Sequence, residues 1–195
     1  MPADLARFIE HTLLKPDATV AEIDRLCTEA VEHGLRAVCV VAGFPFGASC
    51  CEVKAAEAAL AVSEGAAEVD MVVNLGAVKS GDPATVEADI EAVRASVRGA
   101  VLKVIIEAAA LTGPELALVV GLAAAAGADL VKTSTGYHPA GGATLAQVSA
   151  MRAALAGRPL GIKASGGVRT VEFARELIVA GATRLGTSSG VALVS

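Results

Sequence analysis

With 195 residues, a formal charge of −5, 54% hydrophobic and 19% charged residues, the chain is long enough for one domain with a full core (residues 1–195), and its composition excludes disorder. The acidic balance argues against a protein that grips phosphate backbones, so no nucleic-acid partner is expected. The apolar run at 116–128 lies between Glu115 and Asp129, short of the roughly 20 residues a membrane helix needs, so no membrane partner is expected.

No basic and apolar leader opens the chain, which makes the cytoplasm the expected location. A first strand is predicted over 8–14. Thr19 with Glu22 then reads as a capping box, and Val20, Ile23, Leu26, Cys27, Ala30 and Val31 form a helical face ending at Gly34. A strand over 37–41 precedes a second capping box, Ser49 with Glu52, whose helix stops at Gly65. The strand over 68–74 leads to Asp82-Pro83, a cap with proline at the first helical position, and a helix closed by Gly99. Strand 101–106, the Thr112/Glu115 box and Gly127 form the next unit; strand 130–132, the Thr144/Gln147 box and Gly157 form another. Strand 160–163, a helix ending at Gly181 and strand 183–186 complete seven units.

The strands are nearly continuous apolar runs, the pattern of parallel strands buried on both faces. Recurrence of strand, helix and glycine about every 30 residues gives a doubly wound sheet or a (β/α)8 barrel. With only 3% aromatic residues, the core must be built from Ala, Val, Leu and Ile. Cys27, Cys39, Cys50 and Cys51 suit neither a zinc knuckle nor a redox pair and read as reduced, buried small residues.

Four consecutive strands each carry a charge in an apolar run: Asp70, Lys103, Lys132 and Lys163. One strand lysine alone would snorkel outward. Four in succession, at similar depths, make sense if they meet at one barrel mouth, because an isolated buried charge costs several kcal/mol or so. Lysines on neighbouring strands suit Schiff-base chemistry, in which burial and a second ammonium lower an amine's pKa toward neutrality. Asp70 would then move protons. The last two strands end in glycine-rich loops, 165–170 and 186–190. Their backbone amides, at helix starts, form an anion site, so a phosphorylated substrate is expected.

The motifs EVDMVVN, LKVIIE, VKTSTG, IKASGGVRT and GTSSG, with IEHTLL near the start and GFPFGA between, closely resemble the 2-deoxyribose-5-phosphate aldolase family over nearly the whole chain. The resemblance implies a (β/α)8 TIM-type barrel and a metal-independent class I aldolase without cofactor. It would cleave 2-deoxy-D-ribose 5-phosphate to D-glyceraldehyde 3-phosphate and acetaldehyde. By motif, Lys132 is the Schiff-base lysine, Lys163 the second lysine that tunes it, and Asp70 the proton-relay acid. Lys103 belongs to the surrounding charges, while Thr135, Gly166, Gly167, Gly186, Ser188 and Ser189 hold the substrate and its phosphate.

Against that family one loop, helix and strand, some two dozen residues, is missing after Val40, in agreement with the count of seven units. Glu10 stands where the family usually has Asp, lengthening an acid at the barrel mouth, and little of a final helix follows the GTSSG loop. An interrupted barrel exposes strand edges, so a homo-oligomer, a dimer foremost, is expected. Two other readings stand beside this one. A metal-dependent aldolase needs converging ligands, which His11, His33 and His138 do not supply at any i, i+4 spacing. A degenerate sugar-phosphate binder would have kept the loops and lost turnover.

Overall fold

Among the described residues, seven parallel strands alternate with helices. The structure, a computed structural model, describes residues 5–15, 17–39 and 44–195. The strands are β1 (Ile9–Thr12), β2 (Ala37–Cys39), β3 (Glu68–Val72), β4 (Val101–Ile105), β5 (Leu130–Lys132), β6 (Gly161–Ser165) and β7 (Arg184–Thr187). Between and after them run α1 (Val20–Glu32), α2 (Cys51–Ser63), α3 (Leu75–Lys79), α4 (Pro83–Ser96), α5 (Gly113–Ala125), α6 (Leu145–Leu155), α7 (Val171–Ala180) and α8 (Gly190–Val194). The spatial order is β2-β1-β7-β6-β5-β4-β3, which leaves β2 and β3 as the two edges.

The sheet is curled, as charges on distant strands show. Lys103 on β4 reaches Glu10 on β1 at 3.1 Å, although three strands separate β4 from β1 in the sheet. This is a (β/α) barrel shortened to seven strands and open between β2 and β3 among the described residues. The junction at 40–43, where the sequence comparison puts the missing unit, lies outside the described residues, as does the end of the strand expected over 37–41.

Local chemistry accounts for most boundaries. The capping boxes at Thr19/Glu22, Thr112/Glu115 and Thr144/Gln147 form, and Asp82 caps α4 ahead of Pro83. The six predicted stop glycines all adopt positive φ, the backbone that favours glycine after a helix. The box expected at Ser49/Glu52 does not form. Cys50 is the N-cap and α2 starts one residue later, so Glu52 is a residue too early to reach back. The face predicted for α1 is also narrower than expected. Leu26 and Ala30 are buried, but Val20 and Val31 are 78% and 83% exposed and Cys27 is exposed, because α1 packs mainly on β1, β2 and the short α8. No cysteine is fully buried, contrary to expectation: Cys50 is also exposed, and Cys39 and Cys51 are half-buried.

The core between sheet and helices consists of aliphatic side chains such as Ile90, Val93, Leu102, Val119 and Leu177, with Phe8 and Phe173 only at its margin. No helix among the described residues is long and apolar enough to cross a membrane.

Candidate active site

Inside the curl the sheet carries charge instead of hydrocarbon. In register, Asp70 lies beside Lys103 and Lys132 beside Lys163. Lys103 is opposite Leu130, two residues below Lys132, so the four charges occupy two levels and not the one depth expected from sequence. Their side chains nevertheless meet. Asp70 Oδ2 accepts from both Lys132 Nζ and Lys163 Nζ at 2.7 Å, while Oδ1 accepts from Lys103 Nζ at 2.9 Å.

Below this hub, Glu10 accepts from Lys163 and Lys103, and Glu68 pairs with Lys103 at 2.7 Å. Arg184 approaches Glu10 and Glu68 at 3.5 and 3.7 Å. Glu10 is 1% exposed, so the longer acid is an interior counter-ion and not a group at the rim. Glu68 and Arg184 had escaped the sequence reading. A signal existed: Glu68 precedes Asp70 by two residues on one strand, and alternate strand residues share a face.

These ion pairs fix the protonation states. Burial would raise the Asp70 carboxyl, but the Lys132, Lys163 and Lys103 ammonium groups outweigh it and hold Asp70 well below the usual carboxylate range. Burial would likewise lower Lys163, yet Asp70, Cys39 and Glu10 push it above the ordinary lysine value. Lys103 is raised in the same way, chiefly by Asp70. Asp70 and Lys163 are therefore a carboxylate and an ammonium at neutral pH.

Above the hub opens a mouth cavity of about 270 Å³. Lys132 lines it; Lys163 and Lys103 do not. Opposite lie Gly166, Gly167, Arg169, Gly186 and Ser188. Gly166 and Gly167 both have positive φ, which turns the chain sharply ahead of Thr170, the N-cap of α7. Arg169 makes no ion pair among the described residues and is a cation at the rim that the sequence reading had passed over.

Other predicted residues have more specific surroundings. The Thr135 hydroxyl lines the cavity but donates to buried Glu107 at 2.5 Å and accepts from Tyr137 N. Gly186 leaves room for Lys163: a Cβ there would stand 3.1 Å from Lys163 Cε and 2.9 Å from Ser165 Cβ. Ser189 begins α8, its amide donating to Thr187 Oγ1 at 2.9 Å, and does not line the cavity. Aromatic contacts close the remaining side. Tyr137 Oη donates to Leu14 O, its ring meets Phe44 edge-on, and Lys132 Nζ lies 5.7 Å from the Phe44 ring centre.

Among the described residues, Glu10, Cys39 and Asp70 bring potential metal-ligand atoms within 4.8 Å of one another. Both carboxylates already face lysine ammonium groups, a donor set suited to cations on carbon chains and poorly suited to a divalent ion. His11 instead pairs with Glu29 at 2.8 Å, His33 ends α1, and His138 Nδ1 accepts from Ala140 N.

Comparison with known proteins agrees with this arrangement. A family model described as DeoC/LacD family aldolase matches residues 44–194. The deoxyribose-phosphate aldolase of Mycobacterium avium (strain 104) is 52% identical over 209 aligned positions, covering 95% of this chain and 93% of its own. That of Brevibacillus brevis is 48% identical, covering 98% and 96%. The alignment of 209 positions exceeds the 195 residues of the chain, as expected if the relatives carry residues with no counterpart here. The solved tetrameric deoxyribose phosphate aldolase of Aeropyrum pernix superimposes with a TM-score of 0.92 at 34% identity, covering all of this chain and 91% of that one. A curled parallel barrel with two lysines meeting at one aspartate, matched over most of its length by a single family, makes this chain a member of the DeoC/LacD aldolase family.

Proposed function

We propose that the chain, as a single barrel domain, cleaves 2-deoxy-D-ribose 5-phosphate reversibly to D-glyceraldehyde 3-phosphate and acetaldehyde through a Schiff base on Lys132. The observation that carries this reading is the meeting of Lys132 and Lys163 on one Asp70 oxygen, with Lys132 alone of the two opening on the cavity. Lys163, buried and held as an ammonium, is a poor nucleophile and a suitable fixed charge beside the reacting amine.

Lys132 first gives a proton to water in the cavity; its Nζ lone pair then attacks the aldehyde carbon of the open-chain sugar, and loss of water from the carbinolamine leaves an iminium. The C3 hydroxyl proton passes to the Asp70 carboxylate, directly or through a water, C3 becomes the carbonyl of glyceraldehyde 3-phosphate, and the C2–C3 electrons move into an enamine. A proton returned to C2 and one water added to the iminium release acetaldehyde and restore Lys132. The phosphate is held by the Gly166-Gly167 turn at the start of α7, by Ser188 and by Arg169. Lys103 acts from beneath, as part of the charge network.

Incubation with the sugar phosphate and borohydride, followed by peptide mapping, tests the reading: a reduced adduct is expected on Lys132, with turnover unaffected by chelator. An adduct on Lys163 would overturn the assignment of the nucleophile, and none in a folded protein that still binds phosphate would favour the degenerate binder. The open side of the barrel, with β2 as a terminal strand, also supports self-association, and we propose a homodimer. The cytoplasm remains the proposed location.

A further inference from the structure

Asp70 sits on an edge strand, and an edge strand needs something to hold it. Val101 N donates to Ala67 O and Val73 N to Ile105 O, so the odd-numbered residues of this segment direct their backbone groups toward β4. In a parallel ladder the alternate residues point the other way. The carbonyl of Val72 and the amide of Asn74 therefore face the open side, where one residue of a neighbouring parallel strand would give its N–H to the first and its C=O to the second.

A side chain stands at each of them. Lys54 Nζ, from α2, donates to Val72 O at 3.0 Å. Asp89, from α4, stands beside the Asn74 amide, which lowers its carboxyl against the larger effect of burial. Lys54 and Asp89 join each other at 2.7 Å, with side chains only 10% and 4% exposed. The ammonium replaces the missing N–H and the carboxylate the missing C=O. The backbone of Gly47 also approaches this edge, so closely that a Cβ there would lie 3.2 Å from Val72 O. Beside the pair remains a cleft of about 60 Å³ that reaches Asp70.

We infer that Lys54 and Asp89 are positioning residues, an ion pair standing in for one residue of an absent strand and holding β3 so that Asp70 meets both lysines. The inference rests on the role given to Asp70 above. Removing one partner strands a buried charge, whereas replacing both with apolar groups leaves none, so the decisive variant is the double one, Lys54→Met with Asp89→Leu.

Its melting temperature is expected near that of the parent, while kcat for cleavage falls about 10- to 100-fold, the scale of a small misplacement of reacting groups. KM should change less than about twofold, since the phosphate loops are remote from β3, and amide exchange at Asn74 should rise about tenfold or more. Lys54→Arg, which keeps a donor and a charge, should recover most of the kcat lost in Lys54→Met. A double variant with parental kcat would overturn the positioning role even if the single variants are impaired. Failure of the parent to form any borohydride adduct would sink the Schiff-base reading instead, and unchanged Asn74 exchange in the double variant would then still refute the clamp.

Discussion

Lys132 and Lys163 are the same side chain one βα unit apart, and their surroundings divide the work between them. Lys132 has one carboxylate contact and the cavity; Lys163 has two carboxylates and no cavity. Lys132→Ala should abolish the borohydride adduct, read by intact mass. Lys163→Leu should keep phosphate binding, measured by competition with inorganic phosphate, but lose about 100-fold or more in kcat; near-parental turnover would remove Lys163 from the mechanism. That lysines and an acid would meet was legible because each interrupts an apolar strand. The depth at which they meet was not, because the offset between strands is set by closure of the barrel. The pairing of Glu10 with Lys103 has the same explanation: three strands separate β1 from β4, and only the curl brings the two side chains together.

Among the elements, β7 is the most informative. Gly186 reads from sequence as part of a phosphate loop, but within β7 its lack of a side chain is what admits Lys163. Gly186→Ala should cost about 1–3 kcal/mol through overpacking, measured by denaturant unfolding, and should lower kcat by displacing Lys163. Unchanged activity would show that Ser165 gives way instead. Helix starts were legible where the cap and its partner are three residues apart. Thr144→Ala, which removes one side of the Gln147 box, should destabilise by about 1 kcal/mol. The start of α2 was misjudged because Ser49 and Glu52 have the right spacing in the wrong register, with Cys50 taking the cap position.

At the scale of the whole molecule, seven strands and their parallel order followed from the recurring glycines and apolar runs, whereas the open side is a property of closure that no local pattern records. Sedimentation should show twice the 19.4 kDa chain mass if the open side is covered by a second copy; a monomer at working concentration would contradict the dimer. The interior charges also set the pH response. Asp70 and Glu68 have lowered pKa values when folded, so their stabilisation is present above the ordinary carboxylate range and is lost as pH falls through their folded values. Lys163 and Lys103 have raised values, so theirs is present below the ordinary lysine value and is lost as pH rises through the folded values. Asp89, raised by burial, contributes weakly in the opposite sense at the acid end. Thermal unfolding should therefore show a plateau through neutrality with falls beyond about pH 4 and pH 10, and a maximum at either extreme would contradict the pairing described.

The most direct measurement is the mapped borohydride adduct formed with 2-deoxyribose 5-phosphate, taken alongside turnover with and without chelator. A single reduced adduct on Lys132 with chelator-resistant cleavage is the predicted result. Turnover that proceeds without any adduct, or that stops on chelation, would contradict a Schiff-base aldolase built on these two lysines.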